Sequence, residues 1–178
     1  GAIFTNDDSL ATLLESLRVH GKGEDKYDNV RIGFNSRLDT VQAAVLNIKL
    51  DAFINHELCD VNEVYKKYTK LLKGYVKTPT IPEGHLSSFA QYTIQLVSKK
   101  QRDELKDYLS KFNIPSMIYY TKTMHNQTAF AHLNNCDSDY NVSIKLCETV
   151  LSIPMHPYLT DSEIEYISKH IIKFITTY

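Results

Sequence analysis

An amide and a guanidinium stand two residues apart, Asn35 and Arg37, in the stretch "RIGFNSRLDTVQAAVL". They follow Gly33 and precede the first long helical pattern. An Asn amide donates to phosphate oxygens, and an Arg fork matches a carboxylate or phosphate. A loop entering a helix N-terminus suits either anion. The competing reading is a capped helix with a surface arginine, and residue types alone favour it. A second candidate lies in "YYTKTMHNQTAF", where Tyr119, Tyr120 and His125 fall between a strand and a helix. Ligand-facing loops often sit there, although strand-end tyrosines and a surface histidine are the plainer reading. His156 lies between two prolines in "SIPMHPYLT", and His20 and Lys22 flank a glycine in "RVHGKG". Both are weaker, since a turn accounts for each. The histidines show no H-x-x-x-H or H-x-E pairing, so no metal site is expected. Nucleophile-elbow, P-loop and dinucleotide glycine motifs are missing as well.

The elements that must position these residues follow from periodicity and caps. "GAIFTND" reads as a short apolar strand and a turn. Leu10, Leu13, Leu14 and Leu17 form one helical stripe, capped by Asn6 or Asp7. From Arg18 to Ser36 no period holds, and the segment reads as a long polar loop. Asp39 with Gln42 suggests a capping box for a helix carrying Leu38, Val41, Val45, Ile48 and Ala52. The stripe resumes at Leu58, Val61, Tyr65, Tyr68 and Leu72, giving one very long helix or two with a bend near Asn55. Gly74 and Pro79 end it.

"FAQYTIQLV" and "SMIYY" read as strands, as does "LSI" before Pro154. Ser98 caps a helix burying Leu105, Tyr108, Leu109 and Phe112. A short helix is expected at 128–133 and another from Asp139 to Val150. Thr160 with Glu163 caps the last, which carries Ile164, Ile167, Ile171 and Phe174. Residues from about 80 onward therefore make a small α/β domain with helices on one face of a few strands.

Bulk properties narrow the function classes. With 20 basic and 21 acidic residues, the net charge of −1 gives no general drive toward nucleic acid or an anionic membrane. No apolar run approaches a membrane span. Cys59, Cys136 and Cys147 form no C-x-x-C pair, which suits a reducing, cytoplasmic setting.

Six segments, "GAIFTND", "LRVHGKG", "YDNVRIGFNSRLDTVQAAVL", "FAQYTIQL", "YYTKTMHNQTAF" and "LSIPMHPYLT", occur in this order over the whole chain. Together they resemble the C-terminal half of a sugar aminotransferase of the DegT/DnrJ/EryC1/StrS family, most closely the UDP-3-oxo-glucuronate type. The resemblance implies an α/β chain forming part of a fold-type I transferase that uses pyridoxal 5'-phosphate (PLP). Residues 1–55 would be the remnant of the PLP-binding large domain, and 56–178 the long linking helix and small domain. It implies that Asn35 reaches the PLP phosphate of a neighbouring subunit and that Arg37 faces a substrate or donor carboxylate there. His125 would line the sugar site. Where many members carry His-Tyr-Pro, this chain has Tyr119, Tyr120 and Thr121, and the resemblance implies that Tyr119 faces the substrate. The implied partners are a nucleotide-linked keto-sugar, an amino-acid donor, and a second copy of the full-length chain in a homodimer. The Schiff-base lysine of the family lies just upstream of the segment matching "GAIFTND", so the chain alone is expected to be inactive. A sugar dehydratase of the same fold, or a non-catalytic interaction module, remain alternatives at this point.

Overall fold

The computed structural model describes residues 1–25 and 27–178. The chain divides into two compact units, Gly1–Asp51 and Ala52–Tyr178.

In the first unit the expected opening strand is not formed. Residues 1–5 have no regular structure, and Ile3 and Phe4 are 73% and 92% exposed. A strand needs a ladder partner, and none pairs with this run among the described residues. Helix α1 spans Asp8–Leu17, and Asp7 caps it by accepting from the Ser9 and Leu10 N–H groups. The segment read as a plain loop is a bridged ribbon: Lys22 pairs antiparallel with Asn29, and Val19 with Asn35. Helix α2 follows at Thr40–Ala52. Asp39 caps it through the Val41 N–H at 2.9 Å. Although Val41, Val45 and Ile48 recur at helical spacing, α2 buries none of its residues.

In the second unit a π-helical turn, Phe53–Glu57, precedes α3 at Leu58–Leu72. It contains Asn55, where the sequence suggests a bend, and a π-turn shifts helical register in this way. Strands β1 (Tyr92–Gln95) and β2 (Val150–Ile153) pair antiparallel, with Tyr92 opposite Ile153. Single bridges widen the sheet on both sides, Lys77 to Gln95 and Met117 to Ser152. The expected strand "SMIYY" thus reduces to one bridge at Met117. Helices α4 (Lys99–Ser110), α5 (Asn141–Thr149) and α6 (Asp161–Thr177) complete the unit. Met124 to Tyr140 forms three 3-10 turns; the short helix expected at 128–133 is one of them, and the helix expected from about Asp139 to Val150 is α5, preceded by a 3-10 turn at Asp137–Tyr140.

The core is one cluster. Tyr92, Ile94, Leu151 and Ile153 point from the sheet onto Tyr68 and Leu72 of α3, Leu105 and Leu109 of α4, and Ile164, Ile167 and Ile171 of α6. Alternation along β1 explains this, since period two sends Thr93 and Gln95 to the other face. There Thr93 and Ser152 hydroxyls meet at 2.8 Å, and Gln95 Nε2 donates to Thr149 Oγ1 at 3.1 Å. Burial pushes the Tyr92 phenol up to about 12, and its hydroxyl is paired with Thr69 Oγ1. Helix α6 carries the full capping box read from Thr160 and Glu163.

Ile171 is fully buried in this cluster. Ile171→Ala is expected to lower unfolding free energy by roughly 2–5 kcal/mol, measured by urea denaturation. A loss below about 1 kcal/mol would mean that α6 does not pack as described.

Candidate anion-binding site

The loop bearing Asn35 and Arg37 is built by two backbones in contact. After α1 the chain reverses through His20 and Gly21, both left-handed at φ 60° and 78°. The outgoing strand-like run then crosses the incoming one. His20 N–H donates to Phe34 O at 2.8 Å, Phe34 N–H to Leu17 O at 2.7 Å, and Ser36 N–H to Arg18 O at 2.9 Å. A Cβ on Gly33 would lie 2.1 Å from the Gly21 nitrogen, and one on Gly21 would lie 1.8 Å from Arg31 O. Both positions therefore require glycine. Beneath the crossing, the largely buried Ser16 hydroxyl donates to Lys22 O at 2.6 Å and accepts from Arg31 Nη1.

On this support Asn35 and Arg37 are exposed, and their side chains are joined. Arg37 Nη2 and Nε donate to Asn35 Oδ1 at 3.1 and 3.3 Å. The Asn35 Nδ2 group and Arg37 Nη1 have no hydrogen-bond partner among the described residues. An amide N–H₂ beside a guanidinium edge is a donor set for a phosphate or carboxylate oxygen. The residues present thus fit an anionic group.

Of the other candidates, His20 and Lys22 lie on this crossing, and the rest lie in the second unit. The His125 side chain is only 5% exposed, and its Nε2 is 2.9 Å from Asp137 Oδ1. Its ring stacks on Tyr140 with centroids 4.1 Å apart. Asn126 Nδ2 also donates to Asp137 Oδ1, at 2.8 Å. These bonds clasp the 3-10 turns together, and they hold the Asp137 carboxyl below the usual range, Asn126 contributing first and His125 second. Tyr119 is 54% exposed and lines a cavity of about 230 Å³ with Pro115, Met117, Ser152, Pro154 and Met155. No hydrogen bond, ion pair or ring contact joins Tyr119 to His125 among the described residues. The His156 Nδ1 accepts from the Tyr158 N–H at 3.2 Å, a turn-forming bond. Sequence reasoning missed Ser16, Arg31, Asp137 and Tyr140. Only the glycines at 21 and 33 carried a visible signal. No cluster of metal-ligating side chains occurs among the described residues, and no helix there is long and apolar enough to cross a membrane.

This architecture matches part of solved aminotransferase structures. A DegT DnrJ EryC1 StrS aminotransferase from Brucella abortus superposes with a TM-score of 0.85 at 44% identity, over 96% of this chain and 45% of that one. S. venezuelae DesV, solved in complex with a ketimine intermediate, gives a TM-score of 0.86 at 25% identity, over 96% and 45%. The profile of the DegT/DnrJ/EryC1/StrS aminotransferase family matches residues 1–172, and the chain belongs to that family. The UDP-2-acetamido-2-deoxy-3-oxo-D-glucuronate aminotransferase of Pseudomonas aeruginosa is 36% identical over 94% of this chain. The chain spans 45% of that relative's length.

Two outcomes test this geometry. Gly33→Ala should weaken the crossing locally by about 1–3 kcal/mol, seen as faster hydrogen exchange at the His20, Phe34 and Ser36 amides. Unchanged protection there would refute the backbone contact. In the second unit, a carboxyl-carbon NMR titration should place Asp137 below the ordinary value of about 3.9. Asn126→Ala should raise it further than His125→Ala. Because the folded pKa is depressed, the clasp's contribution is full above the ordinary aspartate value and is lost as pH falls through the depressed one. Equal titration in all three proteins would contradict the clasp.

Proposed function

We propose that the chain forms the C-terminal part of a PLP-dependent aminotransferase acting on a nucleotide-linked keto-sugar, with glutamate as the amino donor. The product would serve surface polysaccharide or glycan synthesis. When bound, PLP supplies the electron sink and the carrier for the amino group. In this reading Asn35 donates its Nδ2 hydrogens to the cofactor phosphate in the neighbouring subunit of a homodimer. Arg37 meets a substrate or donor carboxylate with its remaining guanidinium edge. Tyr119 and His125 belong to the sugar-facing wall. With Nε2 already held by Asp137, His125 acts there by shaping the turns around it. A cytoplasmic setting agrees with three free cysteines.

The observation that carries the reading is the paired, outward Asn35 and Arg37 on a loop whose backbone is fixed by glycine contact. Family membership supports it, as does the named activity of the Pseudomonas relative. Nothing in the relatives named above favours the dehydratase alternative.

The test uses the full-length protein that carries the Schiff-base lysine, assayed with PLP, glutamate and UDP-keto-sugars. Asn35→Ala is expected to weaken PLP binding, and Arg37→Ala to raise KM for the carboxylate-bearing substrate. Each effect should be roughly 10- to 100-fold, the worth of a hydrogen bond involving a charged group. Turnover and both affinities left unchanged would overturn the assignment.

A further inference from the structure

The crossing fixes where the Asn35 backbone lies. It does not fix which way the amide faces. Asn side chains rotate about two bonds, and a half-turn of the amide exchanges a donor for an acceptor. On an exposed loop nothing in the backbone bonds forbids that exchange. The side-chain geometry does. Two N–H groups of Arg37 converge on the single Asn35 Oδ1, from Nη2 at 3.1 Å and from Nε at 3.3 Å. Turning the amide over would bring its N–H₂ against the same two donors, leaving no acceptor between them.

We infer that Arg37 is a positioning residue for Asn35. One edge of its planar fork holds the amide oxygen, so that Nδ2 alone is presented to an incoming anion. The inference rests on the reading that Asn35 meets a phosphate, and it adds a second role to a residue otherwise assigned to a carboxylate. The guanidinium is divided: the Nε–Nη2 edge faces Asn35, and Nη1 stays available for the anion. Lysine cannot take over this role. It keeps the charge, but an ammonium lacks a planar edge with two parallel donors. The order of the motif follows from this. With Ser36 bonded by its N–H to Arg18 O, residues 35 and 37 flank an anchored residue. Their side chains can then meet above it without disturbing the ribbon.

The experiment uses the chain itself and inorganic phosphate as the probe. The Asn35 side-chain N–H₂ pair is assigned in a ¹H–¹⁵N spectrum by its loss in Asn35→Ala. In the unaltered chain the two amide protons should be well separated, and phosphate should shift them. In Arg37→Lys the two shifts should move toward those of a freely rotating Asn, and the phosphate affinity read at Asn35 should fall about tenfold despite equal charge. Exchange protection at His20 and Ser36 should stay as it was, because those bonds involve only backbone. The inference is overturned if Arg37→Lys leaves the Asn35 shifts and phosphate response intact, or if it strips the His20 and Ser36 protection as well. If phosphate never reaches Asn35 but Arg37→Lys still frees the amide, positioning by Arg37 stands and the phosphate reading falls.

Discussion

The loop carrying Asn35 and Arg37 depends on one place where two backbones touch. A Cβ on Gly33 would collide with the Gly21 nitrogen and one on Gly21 with Arg31 O, and the His20, Phe34 and Ser36 N–H groups bond across the contact. Packing of side chains usually holds a segment in register, yet little of this unit is buried. Here main-chain geometry takes over that task, and main-chain geometry is stiffer than a packed side chain. Ser16 completes the support from below. Its hydroxyl joins Lys22 O to the Arg31 guanidinium, so one basic group of the loop is already committed inside it. Asn35 and Arg37 are left above, with donors free.

Position and orientation are separate problems in such a site. The crossing handles position, and the Arg37–Asn35 pair handles orientation. His125 shows the opposite case. Its ring is stacked on Tyr140 and its Nε2 is held by Asp137, so any part it plays on the proposed sugar-facing wall is one of shape. Committed polar atoms shape a surface, and uncommitted ones recognise something. Of Asn35, Arg37, His125 and Tyr119, the first two combine a fixed backbone with a side-chain N–H donor that has no partner among the described residues.

How legible these features were follows from how local they are. Caps are local, and Asp7, Ser98 and the Thr160–Glu163 box were readable before any fold was known. The stripes of α3, α4 and α6 were readable for the same reason, as their buried residues recur at helical spacing. Strands depend on partners elsewhere in the chain. "FAQYTIQLV" contracts to Tyr92–Gln95 because β2 offers only four residues to pair with. The bridges of Val19 to Asn35 and Lys22 to Asn29 were not legible because backbone bonds make them, leaving no side-chain period to detect. The family resemblance pointed to Asn35 and Arg37. It did not contain their mutual hydrogen bonds, which needed coordinates.

Helix α2 separates two meanings of an apolar stripe. Val41, Val45 and Ile48 repeat as core residues do, yet they are 72%, 56% and 73% exposed. The stripe of α3 obeys the same spacing and is buried in the second unit's core. A period therefore states that a face has a cost in water, and says nothing about which surface relieves it. In α3 the relief comes from α6 and the sheet within the same unit. For α2 the homodimer proposed above would supply it, and the two features then have one cause. In that proposal, the loop serving a neighbouring subunit's cofactor would lead directly into the helix that packs on that neighbour.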